Sequence, residues 1–130
     1  MNLVEAFYEY AEKLGVSKED ITKEKGDGFT MLSFGEQGEP NVIYYVILLM
    51  YDDNDAVEIY IRKAIETEDE LSTLQQLNRW NAEYCGMSFF KQENAVNVKI
   101  YCKTAGDLNV VLQYLVQGMD VAKTEFPNIH

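Results

Sequence analysis

The chain has 130 residues, of which 47% are hydrophobic and 25% are charged, and this predicts one globular domain over residues 1–130. It contains 22 acidic and 11 basic residues, so its net charge is −11. Such a surface repels phosphate backbones and anionic lipids, which excludes general binding to nucleic acid or to a membrane.

The first predicted element is a helix, because apolar residues from Leu3 to Leu14 recur at helical spacing and Gly15 follows as a C-cap. This N-terminus has neither the basic nor the long apolar segment of a signal peptide, so we expect a cytoplasmic protein. Residues 17–28 are polar and carry both charges, which favours a loop with one helical turn capped by Ser17.

Three antiparallel strands are predicted next, over residues 29–34, 42–51 and 57–62, with turns at 35–40 and 52–55. The second strand is apolar throughout, which is typical of a strand buried on both faces. Either helices cover both of its faces, or one face is reserved for another chain. Exposed aromatic and aliphatic surface of the latter kind usually marks a protein–protein interface.

A second helix is predicted from Thr67, because Thr67 to Glu70 form a capping box, and Gly86 is expected to end it. One face of this helix is predicted to contain Leu71, Leu74, Leu77, Asn81 and Tyr84.

Two strands at residues 87–91 and 96–103, and a long helix that begins near Asp107 and ends before Pro127, complete the order α-β-β-β-α-β-β-α. We therefore predict an α+β fold, in which helices pack on a five-stranded antiparallel sheet.

Residues suited to catalysis or metal binding are scarce. The single histidine, His130, ends the chain, so no Ser-His-Asp, Cys-His or histidine metal site is predicted. Glycine-rich phosphate motifs are missing, and the acidic turn 52–55 fails the spacing of a calcium loop. We predict no catalytic residue, no metal site and no cofactor. Cys85 and Cys102 are expected to be free thiols, but the predicted strand pairing brings them close, which leaves a redox role open.

The second predicted helix carries the string LNRWN at residues 77–81, followed by Phe89, the strand over 96–102 and the long amphipathic C-terminal helix. In these features the sequence resembles the bacterial YbjN family of proposed sensory transduction regulators. The element order is similar to the type III secretion chaperone-like fold. The resemblance implies a non-enzymatic and often dimeric protein that acts through protein partners, as a chaperone-like or regulatory adaptor.

Two interpretations of Trp80 are open. It could pack on the sheet while neighbouring Asn amides tie the helix end to the backbone. Alternatively, Trp80 and Arg79 could lie at a subunit or partner interface, where both residue types are enriched. The candidate dimer or partner interface comprises Arg79, Trp80, Tyr84, Phe89 and Phe90, on the second helix and on strand 87–91.

The leading hypothesis is therefore a protein-binding module, a homodimer with a protein client of unknown identity. The alternative is a small-molecule sensor with a pocket between the sheet and the helices. The richness in tyrosine, with nine residues, and the neighbouring thiols motivate this alternative.

Overall fold

A computed structural model describes residues 3–13, 15–52, 55–66, 69–104 and 107–129. Within these ranges the helices are α1 (Leu3–Lys13), α2 (Glu70–Glu83) and α3 (Leu108–Glu125). The strands are β1 (Thr22–Gly26), β2 (Phe29–Gln37), β3 (Ile43–Tyr51), β4 (Ala56–Ala64), β5 (Met87–Gln92) and β6 (Ala95–Lys103).

Some residues to which the sequence analysis assigned a role lie outside the described ranges. They are Leu14 of the first helical stripe, Asp53 and Asn54 of the acidic turn, Thr67 and Glu68 of the capping box, Ala105 and Gly106 before the third helix, and His130.

All the strands form one antiparallel sheet in the order β1-β2-β3-β4-β6-β5. The predicted α+β class is confirmed, but the predicted count of five strands is wrong, because the described residues form six. The extra strand is β1, within the segment predicted to be a loop. Its residues are almost entirely polar and exposed, so it has no hydrophobic alternation to indicate a strand.

The strand conformation of β1 depends on its backbone hydrogen bonds to β2 and not on burial of its side chains. Thr22 pairs with Ser33 and Gly26 pairs with Phe29, around a turn in which Gly28 has a φ of 84°. The sequence does contain a signal for this hairpin, because Asp27-Gly28 is a favoured two-residue hairpin turn. The predicted helical turn is confirmed at Lys18–Asp20, where the Ser17 hydroxyl accepts a hydrogen bond from the Glu19 N–H at 3.2 Å.

The helices α2 and α3 begin after residues whose side chains accept from free backbone N–H groups. Asp69 caps α2 by accepting from the Ser72 N–H at 3.0 Å. Asp107 caps α3, as predicted, by accepting from the Asn109 N–H at 2.9 Å. Pro127 lies in a short 3₁₀ turn after α3, which agrees with the predicted helix end.

The buried face of α2 differs from the predicted one. Thr73, Leu77 and Trp80 are buried, whereas Leu71 and Leu74 are 68% and 46% exposed. The buried stripe is therefore rotated by roughly a quarter of a helical turn from the row of leucines, and Leu77 belongs to both. The reason is that α2 packs chiefly on the outer strand β5, which a single narrow stripe can cover.

The third helix lies directly on the centre of the sheet. A Cβ atom added at Gly118 would be 2.8 Å from Cδ1 of Ile100 and 2.9 Å from Cδ1 of Ile61. Glycine therefore permits close approach between α3 and strands β4 and β6. In the described part of the chain no helix has the length and apolarity needed to cross a membrane.

Candidate functional site

The central strand β3 presents two contrasting faces. Tyr44, Val46, Leu48 and Met50 are buried on the side that carries the helices. The intervening residues face the opposite side, where Ile43 and Tyr45 are exposed and Ile47, Leu49 and Tyr51 are half-buried. We call that side of the sheet the open face. Of the two alternatives for this strand, the structure has the one in which a face is left free, and burial on both faces is wrong.

The open face is largely apolar and aromatic. Ile43 is 44% exposed and Tyr45 is 56% exposed, and both are among the most accessible large hydrophobic residues of the described chain. The strand register adds further members to the same side of the sheet, namely Phe29 and Met31 of β2, Tyr60 of β4, Phe90 of β5 and Tyr101 of β6. Contiguous apolar surface of this kind is typical of protein interfaces.

Acidic residues are nearly absent from the open face. By strand alternation its acids are Glu24 and Glu58 and its bases are Arg62, Lys99 and Lys103. The whole chain has 22 acids and 11 bases, so this surface is depleted in the charge that dominates elsewhere.

Glu58 lies in a hydrogen-bonded cluster on the open face. Its carboxylate accepts from the hydroxyl of Tyr51, from the hydroxyl of Tyr60 at 2.9 Å and from Nζ of Lys99 at 2.8 Å. Burial raises the pKa of Glu58, but the bonds from Lys99 and the two tyrosines outweigh burial and leave that pKa below its usual range. The acid is therefore ionised near neutral pH and is already paired with a cation inside the face.

Trp80 and Phe89, two of the predicted interface residues, lie in the core. Trp80 is 0% exposed, and its ring centroid lies 5.6 Å from that of Phe89 and 5.9 Å from that of Phe126. Phe89 is buried as well. Neither side chain can contact a second chain in this fold, because the helix side of the sheet encloses both. For these two residues the interface prediction is corrected, and Trp80 packs on the sheet.

The remaining candidates lie on two different surfaces. Arg79 is exposed on α2, with its Nε 3.8 Å from a carboxylate oxygen of Glu83. Tyr84 is half-buried and its hydroxyl donates to the Glu125 carboxylate at 2.9 Å, a bond that raises the pKa of Tyr84. Phe90 lies on the open face. The five predicted residues therefore do not form one surface, and a partner interface stays a prediction.

Asn81, the last residue of the LNRWN string, bonds through its side chain to the backbone of β5. Its Nδ2 donates to the Phe89 carbonyl at 2.9 Å, and its Oδ1 accepts from the Phe89 N–H at 2.7 Å. The side-chain amide thus pairs with the outer edge of β5 as a neighbouring strand would. Leu77 and Trp80 fill the core below it, so these residues of the string hold α2 on the sheet.

A pocket of about 240 Å³ lies between α1, α3 and β2 on the helix side of the sheet. Its walls are apolar and include Phe7, Tyr10, Phe34, Leu115 and Met119. Three charged residues, Glu36, Asp120 and Lys123, also line it. A pocket between the sheet and the helices was part of the sensor alternative, but its walls are not the thiol region that motivated it.

The described cysteines and acidic side chains give little indication of a redox or metal site. Cys85 is exposed and Cys102 is buried, and both are free. Burial raises the pKa of the Cys102 thiol, whose S–H faces the Val57 carbonyl at 3.6 Å. Within the described ranges, no group of three His, Cys, Asp or Glu side chains is arranged to hold a metal ion.

Comparisons with known proteins bear on the fold. No family model matches the sequence, and no curated protein matches it. Among solved structures the chain is similar to YbjN from E. coli, a proposed transcription regulator, with a TM-score of 0.60 at 8% sequence identity. The match covers 93% of this chain and 86% of the other. The resemblance to YbjN is thus confirmed for the fold, and this chain has the three-dimensional arrangement of that protein.

Proposed function

We propose that this chain is a non-enzymatic, cytoplasmic protein-binding module that pairs with a second copy of itself through the open face. The observation that carries the proposal is the uncovered apolar surface of β3 and its neighbours, with few acids, in a strongly acidic protein. In this proposal the dimer serves a further protein client, as a regulatory or chaperone-like adaptor. The fold shared with a proposed regulator supports a role in binding over one in catalysis.

Charge favours the open face as a contact between copies. Two chains that each carry a charge of −11 repel one another, and salt screens exposed charges only beyond about 8 Å. An interface therefore needs a region where acids are few or already paired. Glu58 meets this requirement, because Lys99 neutralises it at 2.8 Å within the same chain.

The size of the open face is sufficient for a dimer. With strands about 4.8 Å apart and a rise of about 3.4 Å per residue, the sheet presents a flat area of roughly 600 Å². Side chains add relief, so the accessible surface is larger than this flat area. Stable interfaces bury about 800 Å² on each partner, which is within reach.

The charges on the open face also suit two-fold pairing. Glu24 lies on β1, two strands to one side of β3, and Lys103 lies on β6, two strands to the other side. A two-fold axis parallel to β3 brings β1 of one copy over β6 of the other. Acid then faces base on both flanks, while the apolar residues of β3 meet at the centre.

The test is the molar mass in solution, by light scattering after size exclusion, at tens of micromolar protein. The wild type is compared with Tyr45→Lys on the open face and with Leu74→Lys on the exposed side of α2. We expect a dimer for the wild type and for Leu74→Lys. Tyr45→Lys should be monomeric, because burying a lysine there weakens pairing by about 30-fold or more.

Two outcomes would overturn the proposal. A wild type that stays monomeric excludes the second copy as the occupant. Dissociation in Leu74→Lys but not in Tyr45→Lys would place the contact on α2, where the sequence analysis predicted it. Circular dichroism establishes that each variant is folded before its mass is interpreted.

A second candidate function, recognition of a small molecule, is favoured by the pocket between α1 and α3. Its volume of about 240 Å³ and its aromatic walls suit a compact apolar ligand. Native mass spectrometry of the purified protein tests this function directly. A retained small molecule supports it, and its loss from a variant with the pocket filled would locate it.

A further inference from the structure

We propose that the pocket between α1 and α3 binds a small amine, that is, a molecule with an apolar aromatic part and one ammonium group. This inference rests on the second candidate function and is independent of self-association through the open face. Three properties of the pocket carry it, namely its volume, the aromatic rings in its walls and the charges that line it.

The volume and the walls define the body of the ligand. Aromatic rings line one side, with the Phe7 centroid 5.7 Å from that of Phe34 and 6.3 Å from that of Tyr10. A dry cavity of about 150 Å³ is sufficient for a benzene ring. The pocket, at about 240 Å³, therefore takes one ring and a short chain that ends in a polar group. Aromatic walls also attract a cation at short range.

The lining charges define the head group. Nζ of Lys123 lies 2.6 Å from a Glu36 carboxylate oxygen, so this pair is internally neutral. Asp120 also lines the pocket, and in the described part of the chain no ion pair joins it to a cation. The negative field of a chain with net charge −11 acts in the same direction. An ammonium group is attracted here, whereas a carboxylate is repelled and a hydroxyl gains no ionic contact.

The experiment uses three probes of similar size and different charge. They are 2-phenylethylamine, 2-phenylethanol and 3-phenylpropionate, titrated into the ¹⁵N-labelled full chain and followed by amide chemical shifts. We expect the amine to bind most tightly, the alcohol more weakly and the acid not at all. The shifts should concentrate on α1, α3 and β2.

Two variants and one control locate the site. Asp120→Asn removes the proposed counter-ion and should weaken amine binding by about fivefold, the range of a partly exposed ion pair. It should leave the alcohol unaffected. Ala11→Leu fills the pocket and should abolish binding of both probes. Asp27→Asn removes an equal charge at the β1–β2 turn and should bind like the wild type.

The outcomes separate the ligand class from the sensing function. No binding of the amine at millimolar concentration, equal binding of amine and alcohol, or unchanged amine binding in Asp120→Asn would each overturn the amine proposal. If native mass spectrometry nevertheless detects a retained neutral or anionic molecule, the amine proposal fails while small-molecule recognition stands. If Ala11→Leu does not fold, Asp120→Asn alone decides, because it changes only a surface carboxylate.

Discussion

Replacing Asn81 by alanine tests whether its side chain holds α2 on the edge of the sheet. The change removes two hydrogen bonds to one residue, at 2.9 Å to the Phe89 carbonyl and at 2.7 Å from the Phe89 N–H. A typical net contribution is about 1 kcal/mol for each such bond. Asn81 is exposed, so water replaces part of what is lost. We therefore expect Asn81→Ala to lower the free energy of unfolding by less than the full sum, by about 1–2 kcal/mol.

The matched control is Asn78→Ala, one helical turn earlier in the same string. Asn78 is exposed on α2 and is expected to change stability by less than about 0.5 kcal/mol, as surface substitutions usually do. Asn81→Asp adds a second comparison, because a carboxylate still accepts from the Phe89 N–H but cannot donate to its carbonyl. We expect Asp to restore at most half of the loss.

The assay is urea denaturation followed by circular dichroism, with all variants measured under one condition. If Asn81→Ala and Asn78→Ala have the same free energy of unfolding, the amide contributes nothing and the assignment is refuted. Exposure of the β5 edge should also raise the tendency of Asn81→Ala to associate, which light scattering at increasing concentration would detect.

Three further predictions concern the core and the open face. Trp80→Ala leaves a large cavity beneath α2 and should lower the free energy of unfolding by about 3–5 kcal/mol; a loss under about 1 kcal/mol would contradict the packing described. Gly118→Val forces α3 away from the sheet and should lower it by about 1–3 kcal/mol, whereas a stabilised variant would show that α3 has room. Glu58→Gln should be less stable than the wild type near neutral pH. The folded-state pKa of Glu58 is lowered, so this difference is present above its ordinary value of 4.5 and is lost as the pH falls through the folded-state value. A difference that persists at pH 2 in urea denaturation would refute the ionic origin.

The elements that sequence patterns predict well are those whose own side chains enter the core. β6 is an example, since Val96, Val98, Ile100 and Cys102 alternate with polar residues and all four are buried. β1 lacks such a pattern, and its strand conformation depends on backbone bonds to β2. Periodicity cannot detect a strand of that kind, although the Asp27-Gly28 turn could have.

The candidate site was harder to predict because exposure depends on which elements lie above each residue. The predicted interface combines Trp80 of the second helix with Phe90 of strand 87–91, yet Trp80 faces the core and Phe90 faces the open side of the sheet. The apolar sequence of β3 leaves two alternatives, namely helices over both faces of the strand or one face without helices. Choosing between them needed the positions of the helices, which all lie on one side.

The closure of the β5 edge by Asn81 has a consequence for how the sheet can grow. Another strand cannot add at β5 where the amide occupies the Phe89 N–H and carbonyl, so β1 is the margin left for strand addition. Two copies that joined through β1 would each present the β5 edge to the outside, where the Phe89 N–H and carbonyl are already bonded. Further addition of strands beyond such a pair is therefore disfavoured at that residue.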